Sequence, residues 1–485
     1  MSESGETSGR VAVIGGGITG LAAAHRLLEL DPAIRVSVFE SSSEPGGVLQ
    51  TVQRDGFCME LGPDSMITQQ PWGLDLCRRI GFDDELIGTN VAHRQTFVVK
   101  KKRLLQLPEG LAVMAPSRVW PMVATRILSP LGKLRLGWEY FLPKRPDNGD
   151  ETLAAFARRR FGRETFERLV QPLASGIYMA DSERLSMRAG FPRFVEMERG
   201  HGSLIRAARD QMKRRASAAQ SASTGPRYSL FVAPKRGLRS LIDALITKLP
   251  TDCIETDTSV TQIDRPADGG WKVSLSTGEE AKVAVREFDA VIVATPAHAA
   301  ARLLSTVDIP LATSLQKIDY AGCVTISLAF RREQIRNPLD GFGFVVPEIE
   351  GSDVLACTFS SVKYAGRSPE GMVLLRAFLG GACRPGVMDR SEGELRELAL
   401  AELRPLLGIS GAPQLDQVTC WSNVMPQYHV HHLDRVEEIE ANAAQIEGLE
   451  LAGNAFRGVG IPHCIHSGED AAERVVETVR TRAGR

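Results

Sequence analysis

Apolar residues along this chain follow two rhythms: short continuous or alternating runs of the strand type, and longer stretches spaced for helices. Arg10-Val-Ala-Val-Ile14 is a buried-strand run that enters a glycine turn, Leu21 to Glu29 is a run of helix formers, and Arg35-Val-Ser-Val-Phe39 is a second strand run. Between Cys253 and Val293 the pattern predicts strands over residues 259–263, 271–275 and 290–294, with turn signals at Asp268-Gly-Gly and Ser276-Thr-Gly and a stop at Thr295-Pro296. Residues 317–383 read as strands again, over 324–330, 342–346 and 372–378. Residues 111–215 read as mostly helical, with Thr152 opening a helix through Phe161 and Arg163 opening another. The Ala/Ser-rich stretch from Arg214 to Arg227, with its Gly-Pro, reads as an exposed loop.

The first turn carries chemistry. Gly15-Gly16-Gly17-Ile18-Thr19-Gly20 joins strand to helix, and Glu40 closes the next strand twenty residues after Gly20. Gly15 permits the turn, Gly17 lets the backbone approach a pyrophosphate, and Gly20 lets the helix sit close to the strand. The helix N-terminus offers free N–H groups to phosphate, and Glu40 accepts from ribose hydroxyls. A bound dinucleotide is the expectation. Two later features favour FAD over NAD. Ser41 and the pair Gly46-Gly47, with Val48, bring backbone back towards the phosphates, with Glu60-Leu61-Gly62-Pro63 close behind. Near the other end, Leu449-Glu-Leu-Ala-Gly453-Asn454 reads as a short strand running into a glycine turn; Val459-Gly460-Ile461 follows, and then a helical stretch from Ser467 to Val476. The predicted class is α/β: a Rossmann-type FAD-binding domain (8–68, 229–300 and 446–485), a sheet-based substrate domain (69–110 and 301–445) and a helical insertion (111–228).

Composition narrows the field. A length of 485 residues corresponds to about three domains at ~150 residues each, and 43% hydrophobic with 24% charged residues is a globular mixture. Lys plus Arg (58) against Asp plus Glu (59) leaves a net charge of −1, which argues against a nucleic-acid binder. No apolar run approaches the ~18 residues of a membrane span, and the polar Met1–Gly9 stretch is no secretory signal. Eight cysteines without a CxxC pair predict a reduced, cytoplasmic chain lacking structural zinc or an iron–sulfur cluster.

Four further blocks carry a resemblance. Arg158-Arg-Arg-Phe-Gly162, Leu169-Val-Gln-Pro-Leu-Ala-Ser-Gly-Ile-Tyr178 (whose Pro-Leu-x-Ser-Gly-Ile-Tyr is expected to form a turn), Gly341-Phe-Gly-Phe-Val-Val-Pro347 and Gly458-Val-Gly-Ile-Pro462 are similar, in order, to motifs of the flavin-dependent protoporphyrinogen/coproporphyrinogen oxidase family, within the amine-oxidase-like flavoproteins. The likeness runs from about residue 10 to 478. It implies an oxygen-dependent enzyme of haem biosynthesis that removes six electrons from a porphyrinogen in three rounds, with hydride leaving a methylene bridge and pyrrole protons lost to solvent. It implies FAD contacts at Gly15 to Gly20, Glu40, Glu60 to Pro63, Val459 to Ile461 and at Val260, which packs against adenine. It also implies Gly176 near the macrocycle and Phe342 and Val345 as apolar walls. No catalytic residue is named, because the cofactor carries the hard step. The chain departs from the family where Glu44 stands in place of a cation, where His463 replaces Asp, and where Thr96 replaces a basic partner for a propionate; Arg94 is the substitute.

Other clusters have plainer readings. Lys100-Lys-Lys-Arg103 is a solvated hairpin turn before a substrate or lipid contact. Leu104 to Leu142, rich in Leu, Trp and basic residues, reads first as core, and the resemblance adds peripheral membrane contact. His429-Val-His431-His432 lacks the companions of a metal site, and His463 and His466 read as polar cap residues. A homodimer is a further expectation. The rivals are an amine oxidase or carotenoid desaturase, and a non-catalytic flavin- or porphyrin-binding protein.

Overall fold

The structure is a computed structural model that describes residues 9–483 except 113, 117–118, 148, 222–229, 268 and 279–281. Its opening unit is β1 (Gly9–Ile14), α1 (Ile18–Leu30) and β2 (Ile34–Phe39), followed by the hairpins β3 (Thr51–Arg54) with β4 (Phe57–Glu60) and β5 (Thr96–Lys100) with β6 (Arg103–Gln106). Next come α2 (Val119–Ala124), α3 (Pro130–Gly137), α4 (Leu153–Phe161), α5 (Gln171–Tyr178), α6 (Leu204–Ser221) and α7 (Arg239–Ile246). Strands β7 (Ile254–Glu255), β8 (Thr258–Asp264), β9 (Trp271–Thr277), β10 (Lys282–Phe288) and β11 (Ala290–Val293) precede β12 (Tyr320–Arg331), β13 (Gly343–Val345), β14 (Val354–Phe359) and β15 (Met372–Gly380). The last elements are α8 (Glu392–Leu407), β16 (Leu415–Pro426), α9 (His432–Ala443), β17 (Leu449–Leu451) and α10 (Ile461–Ala483).

The first sheet runs β7-β2-β1-β11-β17 with every pairing parallel. A parallel sheet needs both faces covered, and β1 shows how. Val11 and Val13 enter a core shared with α1, α7 and α10, while Ala12 and Ile14 enter a second core with Trp271, Val273 and Leu275 of the antiparallel β8–β10 sheet. Two segments more than four hundred residues apart thus close on each other. Gly468 of α10 lies so near α1 that an added Cβ would stand 2.2 Å from the Thr19 carbonyl oxygen.

The second sheet runs β16-β12-β15-β14-β13-β5-β6, antiparallel except where β13 meets β5. Period-two alternation divides its side chains. Val373, Leu375, Ala377 and Leu379 pack with Leu395, Ala399 and Leu403 of α8, whereas Met372 and Leu374 pack on Phe57 and Met59 of the β3–β4 hairpin. The face carrying Arg376 and Phe378 is therefore the one turned towards the β3–β4 hairpin.

Several expectations need correction. Residues 171–178 form a helix instead of a turn; it follows a π-helical stretch at Phe166–Val170 and ends at Met179 in the left-handed region (φ 51°). The stretch after Arg214 stays helical to Ser221, and residues 222–229 lie outside the described ones, as does Asp268 of the Asp-Gly-Gly turn. The helical region opens on a small hairpin, Leu111–Ala112 with Ala115–Pro116. Strand β10 was not anticipated, and α10 begins at Ile461, six residues before the expected start. Other readings match: Thr152 caps α4 by accepting from the Ala155 N–H, and Lys101 and Lys102 form the β5–β6 turn with φ of 50° and 59°.

Candidate active site

The glycine turn between β1 and α1 is shaped by three different steric demands. A Cβ on Gly15 (φ 107°) would lie 2.8 Å from the Ala294 carbonyl oxygen, and one on Gly20 would lie 1.9 Å from the Gly15 carbonyl oxygen. A Cβ on Gly17 meets no protein atom within 4 Å, and the same holds at Gly453. These two glycines thus face open space, as backbone beside a pyrophosphate must. Ile18 and Thr19 begin α1, whose first N–H groups have no side-chain cap and are free for an anion. The second glycine pair sits directly on the first: the Gly46 N–H donates to the Gly16 carbonyl at 2.8 Å, and a Cβ on Gly47 would be 3.5 Å from the Gly17 Cα.

Glu40 is buried at the end of β2, where its carboxylate accepts from the Gly16 N–H (2.8 Å), the Ser42 N–H (2.9 Å) and the Ser42 hydroxyl, with Ser41 at 3.4 Å. Val260 is half-buried nearby, two residues after Thr258, whose N–H donates to the Glu40 carbonyl. Glu44 pairs with Arg239 of α7 at 2.6 Å, and Arg239 also holds Asp243 at 2.7 Å. At the other end of the cradle the Gly453 N–H donates to the Ser467 hydroxyl, and the Tyr428 hydroxyl bridges the Asn454 carbonyl and the Gly458 N–H. Val459 and Gly460 precede α10, and Ile461 begins it. This donor set, with bare backbone at Gly17 and Gly453, fits a dinucleotide held from both ends.

The segment from Glu60 to Asp64 joins this cradle to the second sheet. A Cβ on Gly62 would stand 1.9 Å from the Val48 carbonyl, and the Leu61 carbonyl accepts from Thr325 and Trp421 at 2.8 Å each. Glu60 is turned away: its oxygens accept from Thr51 (2.6 Å) and the Leu238 N–H (2.9 Å), with Arg367 at 3.7 Å, and burial raises its pKa. After Pro63, Asp64 pairs with Lys363 at 2.8 Å; burial opposes its charge, but Lys363 and Arg376 together hold its carboxyl well below the usual range. The Gly62 carbonyl accepts from Arg376. None of these partners was foreseen, although an arginine within Val-Leu-Leu-Arg376-Ala-Phe was a visible signal, since a charge in a buried strand run needs a reason.

Apolar side chains of α5 pack against β13. Val345, Leu173, Ala174, Tyr178 and Ala356 share one cluster with Val459 of the carboxy-terminal loop, and a Cβ on Gly176 would touch Val345 at 3.9 Å. Phe342 precedes β13, is half-buried and donates its N–H to the Gln95 carbonyl, beside Arg94, which is exposed. Phe378 is half-buried in the middle of the sheet, between Thr325 and Ala356 in register. The histidines diverge: His432 is buried and bonded to the Phe456 carbonyl, His431 pairs with Asp434, and His466 stacks on Trp72 at 3.9 Å with His463 edge-on to the same ring.

Comparison with known proteins agrees with this geometry. The chain is 34% identical to coproporphyrinogen III oxidase of Staphylococcus aureus over 96% of this chain and 98% of that protein, and 30% identical to chloroplastic protoporphyrinogen oxidase of Nicotiana tabacum over 96% and 84%. A solved structure from Exiguobacterium sp. 255-15, assigned as a protoporphyrinogen oxidase, superposes with a TM-score of 0.84 at 28% identity, covering 97% of this chain and 99% of the other. The model of the flavin-containing amine oxidoreductases matches residues 18–476, and the chain belongs to that family.

Proposed function

We propose that this protein oxidises coproporphyrinogen III to coproporphyrin III in haem biosynthesis, with FAD as cofactor and molecular oxygen as acceptor. The observation that carries the reading is the apolar cluster of α5 and β13, in which Gly176 lies against Val345 and which Val459 of the carboxy-terminal loop shares; that cluster would wall a slot for the macrocycle. The preference for coproporphyrinogen over protoporphyrinogen follows the higher identity to the staphylococcal enzyme.

When bound, the flavin supplies a hydride acceptor for a methylene bridge of the macrocycle. The chain's own residues orient and exclude water. The bare Cα of Gly176 lets a flat ring lie against α5, and Val345, Ala356 and Leu173 keep the slot dry. Burial pushes Tyr178 up to about 12, and its hydroxyl donates to the Gly190 carbonyl at 2.7 Å, so it stays protonated and is no base. The pyrrole proton leaves to solvent. Arg94, exposed next to Gln95, whose carbonyl accepts from the Phe342 N–H, would be the residue to meet a propionate. Mixed in air with each porphyrinogen, the purified yellow protein is expected to produce porphyrin fluorescence and peroxide, faster from coproporphyrinogen. No acceleration over heat-treated protein with either substrate would refute the activity.

A specific observation favours an anionic membrane surface as a partner. Trp120 and Leu131 are 80% and 78% exposed, and Leu134, Trp138 and Phe141 project from the same α2–α3 region. Residues 119–145 hold five cations, with Arg126 and Lys144 exposed, against one acid, Glu139, which is buried on Arg160. Exposed apolar side chains with exposed cations in the same stretch suit insertion between anionic headgroups.

A further inference from the structure

We propose that Arg376 is the cation that faces the isoalloxazine ring of FAD and stabilises the negative charge the ring takes up with each hydride. The proposal rests on the chain holding FAD, and not on which porphyrinogen it oxidises.

Arg376 sits in the middle of β15, in register with Ser327 on one side and Thr358 on the other, and is 3% exposed. A guanidinium carries five N–H donors in a fixed plane and keeps its charge in a protein. Only one nitrogen, Nη2, has an acceptor, the Gly62 carbonyl; Nε and Nη1 are buried without one. Leaving such donors unmade is costly, more so on a charged group. Asp64 and Glu60 offset part of its charge from a distance, but neither accepts a hydrogen bond from it. Asp64 holds Lys363, and Glu60 is engaged by Thr51, the Leu238 N–H and Arg367. Cys323, close by on β12, stays a thiol because burial raises it to about 11. The Phe378 ring, 4.7 Å from the guanidinium carbon, is a weak partner at best. The missing acceptor therefore belongs to a ligand.

Position decides which ligand. Gly62 packs on Val48, the Gly46-Gly47 pair packs on the Gly16-Gly17 turn, and this unbroken path of backbone leads from the pyrophosphate glycines to Arg376. Behind Arg376, Met372 and Leu374 close against Phe57 and Met59; ahead of it, Phe378 lies beside Ala356 of the apolar cluster. The guanidinium thus stands buried between the cofactor cradle and the apolar cluster of α5 and β13, whereas the propionates at a macrocycle's edge are anions that suit an exposed cation. On an isoalloxazine the acceptors are the carbonyl oxygens and ring nitrogens of the pyrimidine side, since the benzenoid edge bears methyl groups. Those acceptors gain electron density on reduction.

The charge balance follows. A hydride leaves the methylene bridge with both electrons of the broken C–H bond, so the ring gains two electrons and one hydrogen and becomes an anion. The guanidinium opposes that charge through the N–H groups of its two unpartnered nitrogens and gives up no proton. The oxidised macrocycle loses a pyrrole N–H proton to solvent, and oxygen takes the two electrons and the hydrogen, with one solvent proton, as hydrogen peroxide. A fixed donor pair in a dry site acts without reorganising, the condition under which such contacts matter most.

The test uses the holoprotein without porphyrinogen, so its failure is separate from failure of the activity. Sulfite adds to a flavin ring and leaves the same negative charge. Arg376→Gln should keep its flavin but bind sulfite about tenfold or more weakly, with a lower flavin reduction potential; Arg376→Lys, which retains charge but loses the planar pair, should fall between. A yellow Arg376→Gln protein with wild-type sulfite affinity and potential would overturn the proposal. Should that variant fail to fold, infrared spectra of the unmodified holoprotein decide. Flavin carbonyl stretches shifted down by hydrogen bonding support the assignment, and stretches at the free-carbonyl position overturn it.

Discussion

Gly17 and Gly20 stand three residues apart in one turn, yet substitution should harm them in opposite ways. A side chain on Gly17 enters space that no protein atom uses, so Gly17→Val should fold normally and lose its flavin; circular dichroism with the ratio of flavin to protein absorbance checks this. Gly20→Ala places a methyl group 1.9 Å from a backbone oxygen, forcing α1 off the strand at a cost of about 1–3 kcal/mol in stability. Titration of His432 is a second residue-scale consequence. Burial lowers its pKa from 6.5 to about 4, and its ring stacks on Tyr428 with Nε2 on the Phe456 carbonyl. Between those two values the unfolded chain binds more protons. The stabilisation is complete above about pH 6.5 and is lost as pH falls through about 4, a loss of about 3 kcal/mol. His432→Gln, which retains a donor for that carbonyl, should flatten this part of the curve of urea-unfolding free energy against pH. An unchanged slope would rule His432 out as its source.

Single elements show where local sequence is a sufficient guide. Thr152 before an apolar-periodic run gave the start of α4 because a cap is a contact within one turn. Helix α5 escaped because Pro172, Ser175 and Gly176 are poor helix formers, and packing on Val345 and Phe161 sustains it instead. Strand β10 escaped because it is the edge of its sheet and exposes Val283 and Val285, which removes the alternation a half-buried strand displays. Helix α6 begins under a remote acid: Glu139 accepts from Ser203 (2.6 Å), the Leu204 N–H (2.9 Å) and Arg160 Nε (3.0 Å), all buried. Removing one partner of a buried pair leaves an uncompensated charge, so Glu139→Gln should cost about 3–5 kcal/mol. A denaturation midpoint within error of wild type would contradict that.

For the whole molecule the testable consequence is the exposed apolar region. The protein should sediment with vesicles containing anionic lipid, weakly with neutral ones, and less as salt rises. Leu131→Ser with Trp138→Ser should abolish sedimentation while leaving porphyrinogen oxidation in solution intact. Concentration-dependent self-association lost in the same double variant, without vesicle binding, would instead assign this face to a second copy of the chain.

The strand–turn–helix unit, its three glycine roles and the acid at Glu40 were legible because they are set by backbone sterics within about thirty residues, where neighbours in sequence are neighbours in space. Gly176 and Val345 were singled out as expected substrate contacts by motif position alone. The side chains that complete the site follow another rule. Arg376 and Gly62 are 314 residues apart, and Glu60 meets Leu238 across 178, so what each donor finds depends on which strands pair, in which register, and which face alternation presents. No local pattern encodes that, since a charge within an apolar strand signals only that a partner exists. The tertiary structure alone decided where that partner lies, because only packing two sheets against one another fixes what stands opposite a buried cation.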